Sequence, residues 1–68
     1  MIIQVYNALQ IQHPSLDLEL NSNQAKLKIK NGEIKLSMVD NLYELQYDNY
    51  IHYTPDQDEI LKIIKDNI

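Results

Sequence analysis

From Leu16 to Tyr47 the chain contains four stretches in which every second residue is apolar: Leu16, Leu18 and Leu20; Ala25, Leu27 and Ile29; Ile34, Leu36 and Met38; Tyr43, Leu45 and Tyr47. A period of two belongs to β-strands with one buried and one wet face. The breaks between the stretches are short and polar, which leaves little room for anything but hairpins. An antiparallel meander is therefore the fold this pattern allows.

The pair Asn31-Gly32 is a strong hairpin signal, because both central positions of a type I′ turn need positive φ. With that pair at the turn centre, Ile29 faces Ile34, Leu27 faces Leu36 and Ala25 faces Met38 on the inner side. On the outer side Lys30 then faces Glu33, Lys28 faces Lys35 and Lys26 faces Ser37. Asp40-Asn41 makes a second tight turn that sets Met38 opposite Tyr43, Leu36 opposite Leu45 and Ile34 opposite Tyr47. A loop at 21–24 returns the first stretch, setting Leu16 opposite Ile29, Leu18 opposite Leu27, Glu19 opposite Lys26 and Asp17 opposite Lys28. After Tyr47, either a three-residue loop at 48–50 or an uninterrupted strand keeps Ile51 and Tyr53 inside and turns His52 outward.

The stretch "TPDQDEILKIIKDNI" reads as a helix over 55–67, with Thr54 as N-cap, Pro55 at the first helical position and Gln57 completing a capping box. Asp56, Asp58 and Glu59 suit the positive end of its dipole. Ile60, Leu61, Ile63, Ile64 and Ile68 share one face, which predicts packing on the sheet. Residues 2–12 carry two patterns at once. Ile2, Ile3, Val5, Tyr6 and Leu9 cluster on one helical face, while Ile3, Val5, Leu9 and Ile11 alternate as in a strand. The need to cover the sheet favours the helix, which His13-Pro14 would end. The expectation is one α+β domain over 1–68: a meander of three or four strands at about 16–54, a C-terminal helix on one face and an N-terminal helix.

Size limits what holds such a domain together. A chain of 68 residues buries only roughly 60% of the surface it exposes when unfolded. Domains this small commonly add disulfides, a metal or a partner subunit; with no cysteine and only His13 and His52, self-association as a homodimer is the expected route. No apolar run after Met1 exceeds two residues, so neither a signal peptide nor a membrane span is expected, and a cytoplasmic location is.

Signs of catalysis are poor. Ser15, Ser22 and Ser37 have no local signature that would join them to His13 or His52, so no enzyme is expected. Asp17 follows His13 across a proline, which is no metal-ligand spacing, and the single glycine excludes a glycine-rich phosphate loop; no cofactor or metal is expected. The carboxylates of "PDQDE" belong to a helix start.

Two surfaces remain as candidates. Lys26, Lys28, Lys30 and Lys35 line the hairpin "AKLKIKNGEIKL" and form the alternative, a nucleic-acid face. The acids expected beside them, the absence of arginine and a net charge of -4 argue against it. The preferred surface combines Tyr50 and Tyr53 with Glu44, Asp56 and Asp58, an aromatic and acidic group suited to a basic protein partner. Ile, Asn, Lys and Tyr, the residues of AT-rich codons, supply 28 of 68 positions, which points to a low-GC genome or its phage. In this the chain resembles accessory proteins of phages and mobile elements. The resemblance implies a small non-catalytic module that binds and modulates another protein.

Overall fold

The computed structural model describes all residues, 1–68. The elements run α1 (Ile2–Gln12), β1 (Asp17–Asn21), β2 (Gln24–Ile29), β3 (Gly32–Val39), β4 (Leu42–Tyr47), β5 (Tyr50–Thr54) and α2 (Gln57–Asp66). The strands form one antiparallel sheet in chain order, β1-β2-β3-β4-β5. The α+β meander is as expected, with five strands where three or four were read. No helix is long and apolar enough to cross a membrane.

Each connection between strands is a two-residue turn, at 22–23, 30–31, 40–41 and 48–49. These turns use residues that tolerate positive φ: Ser22 at 32°, Asp40 at 51°, Asn41 at 67° and Asp48 at 55°. Asp40-Asn41 carries positive φ at both central positions, as a type I′ turn requires, and β3 pairs with β4 in the expected register. The β1–β2 register is also as expected, with Leu18 opposite Leu27, Glu19 opposite Lys26 and Asp17 opposite Lys28.

The β2–β3 hairpin differs. Its turn is Lys30-Asn31, and Gly32, at φ 154°, opens β3 opposite Ile29. Leu27 therefore faces Ile34 and Ala25 faces Leu36; on the outer side Lys28 faces Glu33, Lys26 faces Lys35 and Gln24 faces Ser37. The shift is two residues. Such a slip moves no side chain to the other face, so the alternation of apolar residues is blind to it. Gly32 still supplies a backbone angle that a side chain rarely adopts, but at the strand entry and not at the turn centre.

Both helices lie on one face. α1 spans β1, β2 and β3, α2 covers β4 and β5, and the two helices touch. The core joins Ile2, Val5 and Leu9 of α1 and Ile60 and Ile64 of α2 to Ala25, Leu27, Ile34, Leu36, Tyr43 and Leu45 of the sheet. The ambiguity of residues 2–12 thus resolves to the helix. Ile11, which only a strand would bury, is 81% exposed, and Ile3, read on the helical face with Ile2, Val5 and Leu9, is 45% exposed and lies at its margin. Five strands are too wide for one short helix, and α1 supplies the second half of the cover. Leu61 and Ile63 pack at the edge of the core, and Ile68 is exposed.

The start of α2 corrects the expected capping box. Thr54 is buried as the last residue of β5, paired with Tyr43, so its backbone is committed to the sheet. The helix begins two residues later than read, with Asp56 as N-cap. The Asp58 N–H donates to Asp56 Oδ1 at 2.9 Å, and the Asp56 N–H donates to Thr54 Oγ1 at 3.1 Å.

Leu36 sits at the centre of the sheet with no exposed surface. Leu36→Asp should abolish the cooperative thermal transition, because an unpaired buried charge costs more than a small domain's margin of about 5–15 kcal/mol tolerates. Circular dichroism melts read the outcome directly. Leu36→Ala should retain a transition but lose about 2–5 kcal/mol.

Candidate binding surface along the fifth strand

The turn at Asp48-Asn49 decides what β5 presents. Asp48 accepts φ 55°, and the two-residue connection pairs Tyr47 with Tyr50, Gln46 with Ile51, Leu45 with His52, Glu44 with Tyr53 and Tyr43 with Thr54. Either of the expected continuations, a three-residue loop or an unbroken strand, would have placed Ile51 and Tyr53 inside. One residue fewer in the loop reverses every facing in the strand. Tyr50, His52 and Thr54 therefore lie on the helix side, while Ile51 and Tyr53 lie on the open side. Tyr50, read as a loop residue, is the first residue of β5.

The exposed side chains follow from this reversal. Tyr50, Ile51 and Tyr53 are 51%, 53% and 50% exposed, on the two sides of one edge strand. On the helix side the Tyr50 ring stacks on His52, with centroids 6.0 Å apart and planes 7° from parallel. His52 Nε2 lies 3.3 Å from Glu59 Oε2, an ion-pair distance without the alignment of a hydrogen bond. Glu59 is held below the ordinary carboxylate range, first by the Thr54 hydroxyl and then by His52.

On the open side Glu44 is the hub. It accepts from the Tyr53 hydroxyl at 2.6 Å through Oε2, and from Ser37 Oγ at 3.1 Å and Gln46 Nε2 at 3.4 Å through Oε1. The hydrogen bond to Glu44 pushes the Tyr53 phenol up, with desolvation and the carboxylate's charge adding to it. Of the expected group, Glu44 and Tyr53 are thus in direct contact. Tyr50 stands on the other side of the same strand, and Asp56 and Asp58 follow at the start of α2. Asp48 and Glu59, part of the acidic segment 44–59 read as the contact surface, belong to the same region, and so do Ile51 and His52, which were read as a core residue and a bystander. The signal that could have found them is Asp48-Asn49, a pair as suited to a two-residue turn as Asp40-Asn41.

The lysines are placed otherwise. Lys26 and Lys28 of β2 and Lys35 of β3 share the open face, with Lys28 between Asp17 and Glu33 in the register and Lys26 between Glu19 and Lys35. Lys30 sits in the turn, outside the sheet. No lysine comes within 4.0 Å of a carboxylate; the one basic side chain that does is His52, beside Glu59. The balance on this face is by register and not by direct pairing. A cleft of about 550 Å³ near the ends of the two helices is bordered by His13, Lys28, Lys30 and Lys65. Of these only Lys65 lies in the last turn of a helix, where a cation complements the negative end of the dipole of α2. No three His, Cys, Asp or Glu side chains converge as a metal-binding group.

Two titrations test this geometry. Glu59 has a lowered folded-state pKa, so its stabilising contribution is present above the ordinary carboxylate value and disappears as pH falls through the folded value. Native protein should therefore melt higher than Glu59→Gln at pH 6, and the difference should shrink progressively as pH falls below the ordinary carboxylate value. Tyr53 has a raised pKa, so it should ionise later than an ordinary tyrosine in an ultraviolet pH titration, and Glu44→Gln should bring it down. Compared with protein-family models, curated proteins and solved structures, the chain finds no significant match in any of the three.

Proposed function

We propose that this protein is a non-catalytic binding module that contacts a basic protein partner through β5 and the acids around it. The observation that carries this reading is the character of β5 itself. It is an edge strand of sequence YIHYT, without a single Lys, Asp, Glu or Pro, and three of its large side chains are about half exposed. Edge strands are ordinarily guarded by charge, proline or cover. The opposite edge, β1, follows that rule with Asp17 and Glu19. Tyrosine supplies large contact area at little conformational cost, which is why it recurs in binding hot spots.

Electrostatics select the partner's sign. Glu44, Asp48, Asp56, Asp58 and Glu59 lie on or beside β5 in the chain or in the register, and no lysine precedes Lys62 in that region. Such a surface attracts a basic protein and repels phosphate. The lysine hairpin is the weaker candidate for nucleic acid, because Asp17, Glu19 and Glu33 stand across from its lysines and arginine is absent. An accessory or inhibitory role in the cytoplasm, as for proteins of phages and mobile elements, agrees with the composition.

Selection of a random peptide library on the immobilised protein tests this reading. The enriched peptides should be net basic, and their binding should weaken at least roughly tenfold when Tyr50→Ala, Asp56→Asn and Asp58→Lys are combined. Asn is chosen at 56 because it caps a helix as well as Asp does. Replacing Lys26, Lys28, Lys30 and Lys35 together by Gln should leave binding unchanged. Loss in the lysine variant with retention in the β5 variant, or salt-sensitive binding of DNA or RNA that the lysine variant abolishes, would overturn the proposal.

A further inference from the structure

We infer that the partner of β5 binds as an added strand: an extended segment, antiparallel to β5, with basic residues at both ends of an alternating apolar core. This rests on the reading of β5 as the binding surface and names the form of what binds there.

The argument begins with the backbone. A two-residue turn closes on a hydrogen-bonded pair, here Tyr47 and Tyr50, and such pairs recur at every second position of an antiparallel ladder. Tyr50, His52 and Thr54 therefore spend their N–H and C=O groups on β4. The N–H and C=O of Ile51 and Tyr53 point the other way, out of the sheet. The rim of the molecule thus carries two donors and two acceptors in strand geometry, with the Ile51 and Tyr53 side chains standing beside them on the open face. An incoming strand satisfies all four groups and lays its own alternate side chains against Ile51 and Tyr53.

Charge then chooses the occupant. β5 has an acid just before it, Asp48, and another just after it, Asp56. A second copy of the chain could pair its β5 about a two-fold axis at His52, with Ile51 against Tyr53 of the other copy. That register also brings the Asp48 end of each β5 to the Asp56 end of the other, just beyond the paired residues, and like charges brought together there are repulsive. A segment with Lys or Arg at those two places turns both repulsions into attractions. The spacing follows from the register: apolar residues opposite Ile51 and Tyr53, two apart, with a basic residue three positions beyond each.

The peptide KTTVTVTTK has this pattern and serves as the probe. In the protein alone, amide exchange should be slow at Tyr50, His52 and Thr54 and fast at Ile51 and Tyr53. Added peptide should slow exchange at Ile51 and Tyr53 by roughly tenfold or more, because only a strand along the edge bonds those two amides. ETTVTVTTE, with reversed end charges, and KTTPTPTTK, whose prolines remove the two N–H groups that face Tyr53 and Ile51, should each bind at least roughly tenfold more weakly.

The failures are distinguishable. If the lysine peptide binds but Ile51 and Tyr53 stay unprotected and the proline peptide binds equally well, strand addition is overturned while the acidic, aromatic surface stands. If Ile51 and Tyr53 are already protected without peptide, in proportion to protein concentration, a second copy holds the edge and the inference fails. No binding by any of the peptides at millimolar concentration overturns the inference and the reading beneath it together.

Discussion

Everything in this domain depends on the four two-residue turns. Each returns the chain with its partner one strand spacing away, so the first four strands direct their apolar residues to one side, while β5 turns Ile51 and Tyr53 to the other. A sheet with one greasy face has to be covered, and α1 and α2 share the task because neither is wide enough alone. The core that results is a single cluster, with Leu27, Ile34, Leu36, Leu45, Ile60 and Ile64 at its centre. A three-residue loop at any of the first three turns would turn the next strand's apolar side to water.

The same turns leave the other face of the sheet bare, and its polarity is organised across the strands. From β1 to β3 it holds Asp17, Glu19, Lys26, Lys28, Glu33 and Lys35, with opposite charges across the strands except where Lys26 faces Lys35. From β3 to β5 the charges give way to hydrogen bonds converging on Glu44, with Tyr53 as the outermost donor. The two halves thus differ in kind: one is balanced charge, the other a polar network that ends in an exposed aromatic edge.

That difference has a counterpart at the rims. β1 is guarded by its acids, whereas β5 carries neither charge nor proline, and Tyr50, Ile51 and Tyr53 are left half in water. Exposed strand edges favour aggregation unless something occupies or repels. Here Asp48, Asp56, Asp58 and Glu59 surround the rim in a chain of net charge -4, and under the proposed reading they would favour a partner of opposite sign over a second copy.

The amino-acid sequence by itself determined the fold class, the inner face of the first four strands, the turn at Asp40-Asn41, the β1–β2 and β3–β4 registers and the amphipathic C-terminal helix. Each of these is a local matter: a period of two, a pair of residues tolerant of positive φ, a helical stripe. Tertiary structure decided the rest. It set the β2–β3 register two residues from where Asn31-Gly32 pointed, because a slip of two preserves every facing and only the assembled sheet distinguishes the alternatives. It made residues 2–12 a helix, since a five-stranded sheet needed a second cover. It kept Thr54 in β5 and passed the cap to Asp56. It also turned Ile51 and Tyr53 outward, through a loop one residue shorter than the alternation after Tyr47 had indicated. Alternation records which residues share a face, but not which face it is after a turn of unknown length, and the candidate site lies beyond such a turn.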